Sequence, residues 1–141
     1  MFPNFEYSNK AYPKVPGSFS LAFLPVITSF LKILIDFSST KGSEQDGVRP
    51  SVVVQNNYAN KASPNTVVCP ITTNLSYYPH TVLVRPSSHN GLFKESKIDC
   101  LQIRVVSKNR ILKKIGVLEQ EYTSDLMQAF IISFDLHDYF N

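Results

Sequence analysis

The 141 residues contain no tryptophan, two cysteines, two methionines and three histidines. Cys69 and Cys100 stand far apart, with neither CxxC spacing nor a histidine beside them, so a disulfide framework and a zinc site both lack support. His80, His89 and His137 are equally scattered, and no metal-ligand set is visible. Reduced, partly buried thiols are the expectation. Charge of either sign is sparse: Lys and Arg number 14 against 11 Asp and Glu, a net +3. That balance suits a polyanionic partner without selecting one. A long unbroken apolar run is also missing. "LAFLPVITSFLKILIDF" (21–37) is interrupted by Pro25, Lys32 and Asp36 and is short for a membrane span. "MFPNFEYSNK" lacks the basic start of a signal peptide. A soluble, cytoplasmic protein without a membrane segment is expected.

What is present describes one globular domain. Apolar residues make up 43% and charged residues 18%, enough to build a core at this length. Residues 1–28, rich in proline and aromatics, read as an irregular arm, and 29–141 as the domain proper. In "FLKILIDF", Leu31, Ile33, Ile35 and Phe37 share one face while Lys32 and Asp36 point to the other, the period-two alternation of a strand. "RPSVVVQN", "NTVVCPITT", "HTVLVRP" and "CLQIRVVSK" are further strands rich in β-branched residues. Residues 56–65 and 86–96 read as exposed loops. From Glu119 onward the period changes. Tyr122, Leu126, Met127, Phe130, Ile131 and Phe134 form one helical stripe, with Glu119 and Glu121 in the first turn. A half-open, strongly curved sheet covered by one helix is the simplest architecture.

One connection is unusual. "STKGSEQDGVRP" (39–50) packs Lys41, Glu44, Gln45, Asp46 and Arg49 around Gly42 and Gly47. Turn chemistry accounts for the glycines and the aspartate, but not for Glu44-Gln45 or for an arginine just before a strand-opening proline. This stretch with "SVVVQN", then "SPNTVVCPITTN", "LQIRVVSKNRI" and "IGVLEQEY", resembles the MazF/PemK family of toxin endoribonucleases in order and spacing from Asp36 to Leu136. Two positions depart from the family pattern: Leu101 replaces the acidic residue before Gln-Ile-Arg, and Ser29-Phe30-Leu31 replaces the usual turn before the first strand.

The resemblance implies a mainly β fold, a small Src-homology-3-like barrel of the plasmid-toxin type with a C-terminal helix, usually as a homodimer. It implies metal-independent cleavage of single-stranded RNA at a short sequence, without a cofactor. It also implies a MazE-like antitoxin, acidic and partly disordered. Cleavage of this kind uses the ribose 2′-hydroxyl as nucleophile and leaves a 2′,3′-cyclic phosphate and a 5′-hydroxyl. Arg49 matches the family's catalytic arginine. Its guanidinium grips two phosphoryl oxygens, and its high pKa disqualifies it as a base. Thr72 matches the threonine of the Pro-Ile-Thr segment and supplies a hydroxyl. Glu44 is the candidate for taking the 2′ proton or ordering Arg49, with Ser43 and Gln45 beside it on the lip contacting RNA; a solvated polar loop is the competing reading.

Gln102 and Arg104, alternating onto one strand face, would line the RNA groove or brace it. Lys108, Arg110, Lys113 and Lys114 extend the basic stretch, which more often is a solvated face. Tyr58, Tyr77 and Tyr78 sit in loops, where a tyrosine either stacks on an unpaired base or, more commonly, covers a core edge. Three rivals stand beside this reading. One is a non-catalytic CcdB-like toxin that binds a protein target, another a ribonuclease using His80 and His89, and the third an inactive relative.

Overall fold

The computed structural model describes residues 29–38, 42 and 47–140. The arm expected over 1–28 and the lip residues Ser43, Glu44 and Gln45 lie outside them. Seven antiparallel strands form the body: β1 (Leu31–Asp36), β2 (Val48–Val53), β3 (Asn65–Thr72), β4 (Thr81–Val84), β5 (Ser96–Asp99), β6 (Arg104–Ser107) and β7 (Ile111–Val117). Three helices accompany them: α1 (Asn57–Ala62), α2 (Thr123–Ser133) and the short α3 (His137–Phe140). The sheet runs β4-β5-β3-β2-β1-β7, with β6 also on β3. One edge of β3 pairs with β2; the other pairs first with β6, over Asn65 to Val68, and then with β5, over Ile71 and Thr72. This change of partner bends the sheet.

Both faces of the sheet are apolar, because neighbouring residues on a strand point opposite ways. Val52, Cys69 and Ile71 join a core closed by Leu126 and Ala129 of α2. Val53 and Val68 join a second core with Ile33, Ile35, Phe37 and Val106. Lys32 therefore does not reach water, as simple alternation suggests. It is fully buried on the helix side.

The Lys32 ammonium donates to the Asn90 carbonyl at 2.6 Å. The Asn90 side chain in turn donates to both Glu119 oxygens, and the Ser87 hydroxyl donates to Glu119 as well. Glu119 is thus a buried-network acceptor rather than a first-turn helix residue. Burial alone would push its pKa up, but the bonds from Ser87 and Asn90 and the Lys32 charge outweigh that and hold the carboxyl below its ordinary value. Burial also pushes Lys32 down to about 8, against the pull of Glu119.

Between about pH 8 and 10.5 the unfolded chain consequently keeps a proton on Lys32 that the folded chain has lost. Stability from this group therefore rises with pH across that window. Urea denaturation at pH 7.5 and 9.5 should show the wild type gaining on Lys32→Met as pH rises. A difference that stays flat rejects the assignment.

The 86–92 loop that supplies Asn90 also closes the barrel. It leaves β4 at one end of the sheet and bonds to β7 at the other, where the Val117 N–H donates to the His89 carbonyl at 2.9 Å.

Four expectations from sequence change. The strand over Cys100 to Lys108 is broken, because Asp99 caps a 3-10 turn at Cys100–Gln102 by accepting from the Leu101 N–H at 3.1 Å, and the strand resumes only at Arg104. Gln102 and Arg104 accordingly do not alternate on one strand. The 56–65 loop contains α1, capped by Asn56 and anchored by the buried Asn60. Lys108 is buried and donates to the Asn60 carbonyl, so it is no part of a solvated face. β7 carries no clean alternation in the sequence, and its pairing with β1 is interrupted by bulges. The C-terminal helix is present, beginning at Thr123 after a 3-10 turn over Gln120–Tyr122.

Candidate functional site

Arg49 and Thr72 come from adjacent strands and face the same way. The β2–β3 register pairs Ser51 with Pro70 and Val53 with Val68. Continued by two residues it sets Arg49 opposite Thr72. Alternation then puts both side chains on the face of the second core, at one end of it. Arg49 is half-buried and has Ile35 of β1 across its other edge. The proline after it favours the extended backbone that a strand start needs. Ser51, two residues beyond Arg49 on this face, is buried, and its hydroxyl finds no hydrogen-bond partner.

Thr72 ends β3 and is nearly buried, at 9% exposure. Its oxygen accepts from the Asn74 N–H at 3.2 Å, which leaves its own hydrogen to donate elsewhere. Across from it on β5 stands Lys97, a residue the sequence did not single out. No local signal could have found it, since its neighbour on β3 is 25 positions away in the chain. The Lys97 ammonium donates to the Ser76 carbonyl and lies 5.1 Å from the centre of the Tyr78 ring.

Arg104 reaches the same face by another route. It pairs with Val68, and its guanidinium carbon sits 4.4 Å from the centre of the buried Phe37 ring. This cation–π contact fixes the head group and leaves the side chain half-buried. Gln102, in the 3-10 turn, lines an open cleft of about 220 Å³ with Leu101, Ile103 and Arg104. Arg110 is tied to the end of β1, donating to the carbonyls of Asp36 at 3.3 Å and Ser38 at 3.0 Å. The Ser38 hydroxyl and N–H hold the Asp36 carboxyl below its ordinary range. Gly42 and Gly47, which flank the lip, have φ of +60° and +75°, the left-handed region glycine tolerates.

Other candidates fall elsewhere. The His80 carbonyl accepts from Cys100, whereas that of His89 accepts from Val117 of β7, so the two histidines are held against different elements. Cys69 and Cys100 are free and buried, and the hydrogen bond the Cys69 thiol donates to Cys100, with burial, pushes that thiol up. Such a thiol is inert at neutral pH. Tyr58 is 65%, Tyr77 82% and Tyr78 52% exposed, so none of them covers a core edge. Among the described residues no helix is long and apolar enough to cross a membrane.

Residues 33–134 match the family model described as the PemK-like, MazF-like toxin of type II toxin-antitoxin systems. Endoribonuclease MazF of Staphylococcus saprophyticus is 39% identical over 106 residues, covering 74% of this chain and 88% of that one. Among solved structures, MazF of Deinococcus radiodurans superposes with a TM-score of 0.67 at 19% identity, over 79% of this chain and 98% of that one. An endoribonuclease from a mycobacterial species, solved with its cognate antitoxin, gives 0.66 at 18% identity, over 78% and 96%. These structural matches establish the MazF-like fold. Family model and sequence relative together place this chain in the PemK-like, MazF-like family of type II toxin–antitoxin toxins.

Proposed function

We propose that this toxin is a sequence-specific endoribonuclease that cuts single-stranded RNA in the cytoplasm without a metal ion or cofactor. What supports the reading is a β2–β3 register that, continued by two residues, sets Arg49 opposite Thr72, within a chain 39% identical to a named endoribonuclease. The ribose 2′-oxygen loses its proton and attacks the neighbouring phosphorus. The bond to the 5′-oxygen breaks and that oxygen takes a proton, leaving a 2′,3′-cyclic phosphate and a 5′-hydroxyl. Arg49 stabilises the charge that builds on the phosphoryl oxygens, and the Thr72 hydroxyl donates to one of them or orients the 2′-hydroxyl. Glu44 takes the 2′ proton or orders Arg49. Ser43, Gln45, Gln102 and Arg104 hold the flanking nucleotides.

The partner of this activity is an acidic antitoxin of the MazE type, whose flexible segment occupies the same groove. The solved mycobacterial toxin–antitoxin complex supports that assignment. The toxin acts as a homodimer. Incubating the purified protein with a long single-stranded RNA in EDTA should release fragments with 5′-hydroxyl ends at a recurring short sequence. Substrates with 2′-deoxy or 2′-O-methyl sugar at the cut should survive. Fragments with 5′-phosphate ends, or cleavage abolished by EDTA, overturn this mechanism.

A further inference from the structure

The loop joining β3 to β4 (residues 73–80) begins at Thr72 and is held at nearly every step. The Asn74 N–H donates to the Thr72 hydroxyl oxygen at 3.2 Å, and the Ser76 N–H donates to the Asn74 side-chain oxygen at 3.0 Å. The Ser76 carbonyl accepts from Lys97, the cross-strand partner of Thr72. The Tyr78 ring lies near the same ammonium and stacks on His80, with centroids 5.4 Å apart and planes 13° from parallel. The Thr81 hydroxyl donates to the Tyr78 carbonyl at 2.7 Å.

Tyr77 sits between these anchors, with the residues on both sides tied down and its own ring 82% exposed. A merely solvated loop would need no such bracing, and burying the Lys97 ammonium to provide it is costly. Tyr77 stands five positions beyond Thr72, at most about 18 Å of stretched chain. A flat aromatic ring held at that range from a phosphate site suits an unpaired base, because every base has a face to stack.

We propose that Tyr77 is a stacking platform for an unpaired nucleobase flanking the scissile phosphate, and that Lys97 is the positioning residue that sets it at a fixed distance from Thr72. This rests on the endoribonuclease reading. An RNA oligonucleotide carrying the mapped cleavage sequence tests it on the full chain. Tyr77→Ala should raise KM roughly five- to a hundredfold while kcat stays within about twofold. Tyr77→Phe should restore KM, and Tyr77→Leu should not.

A second readout is 2-aminopurine fluorescence in an oligonucleotide blocked by 2′-O-methylation at the cut. The fluorophore, placed in turn on each side of the cut, should be quenched at one position by the wild type and Tyr77→Phe, and not by Tyr77→Ala. Lys97→Met should weaken both the quenching and KM, and Lys97→Arg should keep both. An unchanged KM with intact quenching in Tyr77→Ala overturns the platform, as does full rescue by leucine. If wild-type protein cuts no RNA, the endoribonuclease reading itself fails, and that outcome is distinct from either of these.

Discussion

Arg49→Ala should lower kcat for RNA cleavage by about a hundred- to a thousandfold, the usual consequence of deleting one donor aimed at developing charge. KM should change far less. The phosphodiester already carries one negative charge in the ground state, but the extra charge that a bidentate guanidinium meets exists only in the phosphorane. The half-buried setting strengthens the effect, since a partly desolvated cation acts with less screening than one in water. Arg49→Lys should recover only part of the rate, because an ammonium is a point charge and cannot fork onto two oxygens. Single-turnover cleavage of RNA, with circular dichroism to confirm folding, measures this directly. A loss below about tenfold, or one carried wholly by KM, removes Arg49 from the transition state and returns it to simple RNA binding.

Gly116→Ala should destabilise the fold by about 1–3 kcal/mol, toward the upper end of the usual overpacking range because the atoms it meets cannot step aside. A methyl group at this point of β7 would sit 2.4 Å from the His89 carbonyl oxygen and 2.8 Å from the Asn90 carbonyl carbon. Both are backbone atoms of the loop that closes the barrel. Making room means moving that loop, which loosens the bond from Val117 to His89 and draws the Asn90 carbonyl away from the buried Lys32 ammonium. A buried cation that loses its acceptor adds its own penalty to the steric one. Urea denaturation monitored at pH 7.5 reads the effect as a lower midpoint. A midpoint equal to that of wild type rejects so close an approach of loop and strand.

Much of the fold was legible because local pattern and tertiary role agree in it. β1 alternates, β2 and β3 are β-branched, and the stripe from Tyr122 to Phe134 does become a helix, with Leu126 buried under the sheet. The elements that escaped notice are those where a capping side chain or a bulge overrides the period. Asp99 bends Cys100–Gln102 into a 3-10 turn. Asn56 starts α1. β7, bulged against β1, carries no clean alternation.

The site divides along the same line. Arg49, Thr72 and the glycine-bounded acidic stretch were set apart by motif, because residue type and spacing along the chain are properties of sequence. Their chemical classes, a permanent cation and a hydroxyl, follow from that alone. What lies near Arg49 and Thr72 follows from strand pairing: the β2–β3 register, continued by two residues, sets them opposite each other, and β5 brings Lys97 alongside Thr72 from 25 residues away. The burial of Lys32 and Lys108 was likewise decided only in three dimensions. Alternation tells which way a side chain points, but not whether water or a second core lies there.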